Sequence, residues 1–155
     1  MTARIFVAVG ALGATIAAAA LGACALEPDV GPLLAGTCDN ADTNPAVNVS
    51  FSNDIRPIFN QMVGGCSCHM SGANGVGQGT ALSGLNLSSL TALRAGGVHS
   101  GTQIVVDGQP CASILFQKVS DAPPYGSRMP LGGPYLSQTQ LALIHDWIAE
   151  GAADN

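Results

Sequence analysis

The chain predicts an all-α domain of about four short helices joined by long glycine-rich loops. Three observations carry this. Apolar residues recur at helical spacing near both ends of the domain, at Ile55, Ile58, Phe59 and Met62 and again at Leu141, Ile144, Trp147 and Ile148. Capping residues stand in front of both stripes, Ser52-Asn53-Asp54 before the first and Ser137-x-x-Gln140 before the second. Between them, recurrent glycines and prolines, of which the whole chain has 20 and 9, keep the remaining elements short.

In chain order, residues 1–23 read as a secretory leader. One positive charge, Arg4, precedes an unbroken alanine-rich apolar stretch from Ile5 to Ala20. Leu21-Gly22-Ala23-Cys24 is similar to a bacterial lipobox, which makes Cys24 the lipidated first residue of a mature chain of 132 residues. Alanine at 25, in place of an inner-membrane retention aspartate, directs the expectation to an outer membrane. Acyl chains anchor by burying CH₂ groups at about 0.8 kcal/mol each, so no membrane-spanning helix is required. Residues 24–48 read as a tether broken by Pro28, Gly31, Pro32, Gly36, Asn40, Asn44 and Pro45. Cys38 stands inside it as a staple to the domain, which spans 49–155.

The first helix carries Pro57 early, where its missing N–H costs little, and Gly64-Gly65 end it. Residues 71–87 form a glycine-rich loop without the Lys-Ser/Thr pair of a phosphate cradle. A short helix from Ser88 to Arg94 closes at Gly96-Gly97, Ile104-Val105-Val106 is a brief extended segment, and Pro110 opens a helix over Cys111–Val119. An irregular loop over Ala122–Gly126 leads to Met129, and Gly151 stops the last helix.

Composition narrows the function. Without Arg4, four basic residues face ten acidic ones, a net charge of −6 with no basic cluster. This disfavours nucleic acid and anionic headgroups and suits docking to a basic partner. An exported compartment is oxidising. The four domain-side cysteines, Cys38, Cys66, Cys68 and Cys111, are therefore expected in disulfides, thioethers or a metal site. No nucleophile elbow, His-Glu-x-x-His motif or convincing carboxylate pair indicates an enzyme.

The chemistry concentrates in Gly65-Cys66-Ser67-Cys68-His69 and in Arg128-Met129-Pro130 sixty residues later. With Phe51-x-x-Asp54-Ile55-x-Pro57-Ile58-Phe59, Leu85-x-Leu87, Gly108-x-Pro110-x-x-Ser113-x-Leu115 and Leu136-Ser137 to Trp147-Ile148-x-x-Gly151-Ala152, the order and spacing resemble the cytochrome c domains of the planctomycete type over about residues 49–153. The resemblance implies one covalently attached haem c, with a thioether at Cys68, His69 as proximal ligand and Met129 as distal ligand. A His/Met pair suits electron transfer at a relatively high potential. It further implies packing of the first helix on the last, with Phe59 and Trp147 in that contact or in the haem wall, and a redox partner protein.

The attachment motif departs from Cys-x-x-Cys-His, because Gly65 stands where the first cysteine belongs. Residues two apart on a helix point roughly oppositely, so Cys66 and Cys68 do not both face a haem on a regular turn. Three arrangements are open: one thioether at Cys68 with Cys66 in a disulfide to Cys111 or Cys38, a distorted turn binding both cysteines, or no haem and two disulfides. The last makes the chain a haem-free binding or surface module. A fourth reading is a soft-metal site for copper(I) or zinc from Cys66, Cys68, His69 and Met129. Arg128 reads equally as a haem-propionate partner or a surface residue, and His99 and His145 as solvent-facing.

Overall fold

A computed structural model describes residues 38–60, 66–72, 75–121 and 123–155. The leader 1–23, Cys24, the tether up to residue 37, Met62 and the Gly64-Gly65 stop lie outside the described residues. The fold is the expected small all-α one. Among the described residues, five short α-helices span Arg56–Asn60 (α1), Gln78–Ser83 (α2), Leu90–Ala95 (α3), Ile114–Val119 (α4) and Gln138–Ala149 (α5). Between α1 and α2, Ser71–Gly72 (β1) and Gly75–Val76 (β2) pair antiparallel, Ser71 opposite Val76, a hairpin too short to alter the class.

The first and last helices make the core. Ser50 caps a π-turn over Phe51–Ile55 that runs into α1, while the Asp54 carboxylate accepts the Ser50 amide at 2.9 Å. In α5 the capping box forms in full: Ser137 Oγ accepts the Gln140 amide at 3.3 Å and Gln140 Oε1 accepts the Ser137 amide at 2.9 Å. The α5 stripe then buries Ile144, Trp147 and Ile148 completely against Phe51, Ile55 and Phe59. The Phe51 ring lies 5.7 Å from Trp147 and 6.5 Å from Phe59, both tilted, a spacing at which aromatic pairs add to simple burial.

The C-terminal residues close this core. Trp147 Nε1 donates to the Ala153 carbonyl at 2.8 Å. Arg94, at the end of α3, donates to the Gly151 and Ala152 carbonyls and pairs with Asp107 at 2.9 Å. Asp154 accepts from the Ser52 amide and hydroxyl.

Three expectations shift. Ile104 ends a 3₁₀ turn over Gly101–Ile104, and only the next residue, Val105, is extended. The expected Cys111–Val119 helix divides into a 3₁₀ turn over Pro110–Ala112 and α4, because Ser113 turns extended and spends its hydroxyl on Gln109 and Val106 backbone. Residues 38–47, read as tether, lie on the domain. Cys38 is bonded to Cys111, Asn40 Oδ1 accepts the Cys111 amide at 3.0 Å, and Asp146 accepts from the Thr43 amide at 3.0 Å and hydroxyl at 2.6 Å.

Candidate functional site

The Cys-Ser-Cys-His run forms a single 3₁₀ turn over Ser67–His69 with Cys66 at its N-cap. The His69 amide donates to the Cys66 carbonyl at 2.8 Å and the Met70 amide to Ser67 at 3.1 Å. In a 3₁₀ turn residues three apart eclipse. Cys66 and His69 therefore share a face, and Cys68 turns away. Cys66 is buried in the core, whereas Cys68 is exposed. Burial, with Cys68 nearby, pushes the Cys66 thiol up to about 11. The turn is locked from both sides, as Leu87 donates to the His69 carbonyl at 2.8 Å and Gly77 to Met70 at 3.0 Å.

His69 is held by its Nδ1, which lies 3.4 Å from the Leu85 carbonyl and 3.4 Å from Ser83 Oγ. A carbonyl only accepts, so pairing with Leu85 puts the proton on Nδ1 and leaves the Nε2 lone pair free. Burial lowers the His69 pKa, which the Leu85 hydrogen bond opposes in part, so the neutral imidazole prevails near pH 7. The other edge of the ring needs Gly79: a Cβ there would stand 2.8 Å from Nε2 and 2.9 Å from Cε1. That glycine belongs to α2, which the glycine-rich loop conceals. It starts after Gly77 and ends at Gly84, whose φ of 71° favours glycine.

Met129 lines the same space from a separate stretch of chain. Its amide donates to the Lys118 carbonyl at 2.7 Å, which ties it to the end of α4. Two cavities meet here and share Cys66, His69, Ser83 and Met129. The inner one, about 180 Å³, is walled by aliphatic side chains including Leu85, Leu87, Ile104, Ile114, Leu115 and Val119. The outer one, about 390 Å³, adds Cys68, Leu82 and Leu131, the two leucines being 78% and 72% exposed. Taken together the space falls within the ~300–1,000 Å³ of small-molecule sites. Thiol, imidazole and thioether thus border one apolar space, a donor set that fits haem c. The missing Cβ of Gly79 lets α2 approach the imidazole, and aliphatic side chains line the space beside this donor set.

Other expectations are corrected. Cys38–Cys111 is the disulfide, with Cys66 and Cys68 both free thiols, so neither a Cys66 bridge to Cys38 or Cys111 nor a pair of disulfides that takes up all four is formed. Among the described residues no group of three His, Cys, Asp or Glu side chains is arranged to hold a metal ion. Arg128 turns to protein partners: it donates to the Val119 carbonyl at 3.0 Å, pairs with Asp121 and stacks 4.2 Å from the Tyr135 ring centroid. His99 is exposed as expected, yet it borders the inner cavity. His145 is buried, because the 38–47 strap covers it: Nε2 lies 2.6 Å from the Asp39 carbonyl and Nδ1 2.9 Å from Asp146.

Two cavity residues escaped the sequence reading. Lys118 donates to the Tyr125 and Ser127 carbonyls at 3.1 and 2.6 Å and lies over the Tyr125 ring at 5.0 Å. Burial lowers its pKa, and no carboxylate lies within ion-pair distance of it among the described residues. The Tyr125 hydroxyl is buried without a hydrogen-bond partner, and burial pushes its pKa up to about 12. Such an orphan costs about 1–3 kcal/mol.

Comparison with family models, with curated proteins and with solved structures finds no match to this chain.

Proposed function

We propose that this chain is a c-type haem protein that carries single electrons and has no catalytic role of its own. The observation that carries this reading is that His69 and Met129, sixty residues apart in sequence, line the same two adjoining cavities, with Cys66 lining both and Cys68 one of them. When bound, haem supplies a one-electron iron couple, with His69 and Met129 as axial ligands. The Leu85 and Ser83 contacts to Nδ1 orient the imidazole and raise its basicity, as carbonyl and hydroxyl oxygens do for metal-bound histidines. The aliphatic wall excludes water, which favours the less charged reduced state. Cys68, exposed and on the outer cavity, is the thioether residue; the buried, protonated Cys66 packs the wall behind it. The chain acts as an exported lipoprotein, anchored through Cys24 at an outer membrane, and hands electrons to a partner with a basic docking surface, in keeping with its net negative charge.

Expression of the full precursor with intact haem-maturation machinery tests the reading. The expected product shows a Soret band that survives denaturation and a mass increased by one haem. Cys66→Ser retains the covalent adduct and Cys68→Ser loses it. A colourless product of unmodified mass overturns the proposal and leaves the haem-free module.

A further inference from the structure

Charge is spread very unevenly over this chain. Histidines aside, the only charged side chain between residues 57 and 106 is Arg94, and the only one between 122 and 145 is Arg128. Every residue that lines the outer cavity comes from these two stretches. Both arginines are engaged, Arg94 with Asp107 and Arg128 with Asp121. The acidic residues gather elsewhere. Asp39 and Asp42 stand on the strap over α5, and Asp54, Glu150 and Asp154 where the C-terminal end meets the Phe51–Ile55 turn. At the open edge of the outer cavity, Leu82 and Leu131 both project into solvent beside the exposed Cys68. Val98, equally exposed, is tied next to Leu82 by its amide, which donates to the Ser83 carbonyl at 2.7 Å. Single exposed apolar residues need no explanation, but large ones gathered at an uncharged opening mark an interaction surface.

The length of the arm indicates what covers this face. Thirteen residues separate Cys24 from Cys38, and Cys38 is pinned to Cys111. At full extension such an arm reaches about 45–50 Å. A domain of this size has a radius of gyration of about 13 Å and is about 35 Å across. An acyl anchor at Cys24 thus holds the domain at a bilayer without choosing which face it presents, and surface chemistry makes the choice. Anionic headgroups repel the acid-bearing strap and C-terminal end. They do not repel a face without carboxylates, whose leucines gain by entering the headgroup–acyl boundary. Because the anchor keeps the local concentration high, even a weak contact is occupied. We propose that the Leu82–Leu131 face rests on the bilayer that holds the Cys24 lipid, with the acid-bearing strap left to the aqueous side. The inference rests on the lipoprotein reading above and is independent of haem. In this pose the bilayer caps the outer cavity and shields it from water.

The test uses the full mature chain, produced haem-free in cells that acylate exported lipoproteins, with the acyl mass checked first. The chain is reconstituted into phosphatidylethanolamine–phosphatidylglycerol vesicles that carry a spin-labelled phosphatidylcholine. An environment-sensitive fluorophore is attached to Cys68 or, in a Cys68→Ser chain, to the strap through Ala46→Cys. Lipid quenching of the Cys68 label is expected to exceed that of the strap label severalfold. Leu82→Glu combined with Leu131→Glu is expected to lower the Cys68 value to that of the strap. Equal quenching of the two labels on an acylated chain overturns the face and leaves the anchor reading intact. A blue shift at Cys68 that grows with protein density and brings no lipid quenching puts a second copy on the face, and also overturns the proposal. A mature chain without acyl mass overturns the anchor reading and this inference with it. The comparison of the two labels decides the matter even if the double leucine variant fails to fold.

Discussion

Two halves of this small domain are built differently. Around α5 every large side chain meets another: Trp147, Phe51 and Phe59 are fully buried, and the chain ends are tied down by Arg94, Asp154 and the Trp147 indole. Around the Ser67–His69 turn the elements are one or two turns long, glycines allow close approach, and the apolar walls enclose space. The first half stabilises itself. The second is a set of walls whose apolar faces enclose space and leave the Tyr125 hydroxyl without a hydrogen-bond partner. A domain of this size can support such a cavity only because the other half, with the Cys38–Cys111 bond, holds its edges in place.

The sharpest way to break this contrast is to remove one large side chain from each half. Trp147→Ala is expected to cost about 3–5 kcal/mol, since truncating a fully buried aromatic loses its transfer energy and leaves a cavity. Leu115→Ala, on a wall that already faces empty space, is expected near the bottom of the range for such truncations, at about 2 kcal/mol. Urea unfolding of the haem-free mature chain compares the two. Equal losses would mean that the cavity half is packed as tightly as the helical one.

A smaller effect probes how the strap joins the halves. Burial acts to raise the Asp146 pKa, but hydrogen bonds from the Thr43 hydroxyl and amide and from His145 outweigh it and hold the carboxyl below its usual value. A carboxyl depressed in the folded state contributes stability that is fully present above its unfolded pKa of about 3.9 and is lost as pH falls through the lower folded value. The unaltered chain should therefore lose stability on acidification below about pH 4, and Asp146→Asn should show less of that loss. At neutral pH the same substitution should cost about 1.5–3 kcal/mol, the worth of hydrogen bonds to a charged group. Parallel acid profiles for the two proteins would show that the strap does not draw its stability from this carboxylate.

The same division governs what the sequence discloses. α5 is legible because its signals are local and agree: a capping box, an apolar stripe at i, i+3, i+6 and i+7 and a terminal glycine all act within fifteen residues. α2 is not, because Gln78–Ser83 has no buried face of its own and three glycines within or beside it. It is fixed by packing over the Ser67–His69 turn, where Gly77 and Gly79 let the backbones and the imidazole approach. His145 lies off the apolar stripe, so only knowledge that residues 38–47 return over α5 would reveal its burial. Residue types at the site were readable: Cys66, Cys68, His69 and Met129 do border common space. Their differing exposures were not, since they depend on the turn being 3₁₀ rather than α. Tyr125 gave no signal at all, because a missing partner leaves no mark in a sequence.

That difference between the two thiols gives the prediction with the least consequence for stability and the most for the motif. A thiolate, not a thiol, attacks an alkylating reagent. At pH 8 an ordinary thiol of pKa about 8.5 is roughly one-quarter ionised. Cys66, pushed up to about 11, is ionised about a thousandth of the time by the same arithmetic and is buried besides. Iodoacetamide labelling of the folded, haem-free chain, followed by peptide mass analysis, should modify Cys68 at least about 100-fold faster than Cys66. In guanidinium chloride the two rates should converge. Equal rates in the folded protein would mean that the turn presents both sulfurs to solvent. The Cys-x-Cys spacing would then offer two attachment points rather than one thioether site and one wall residue.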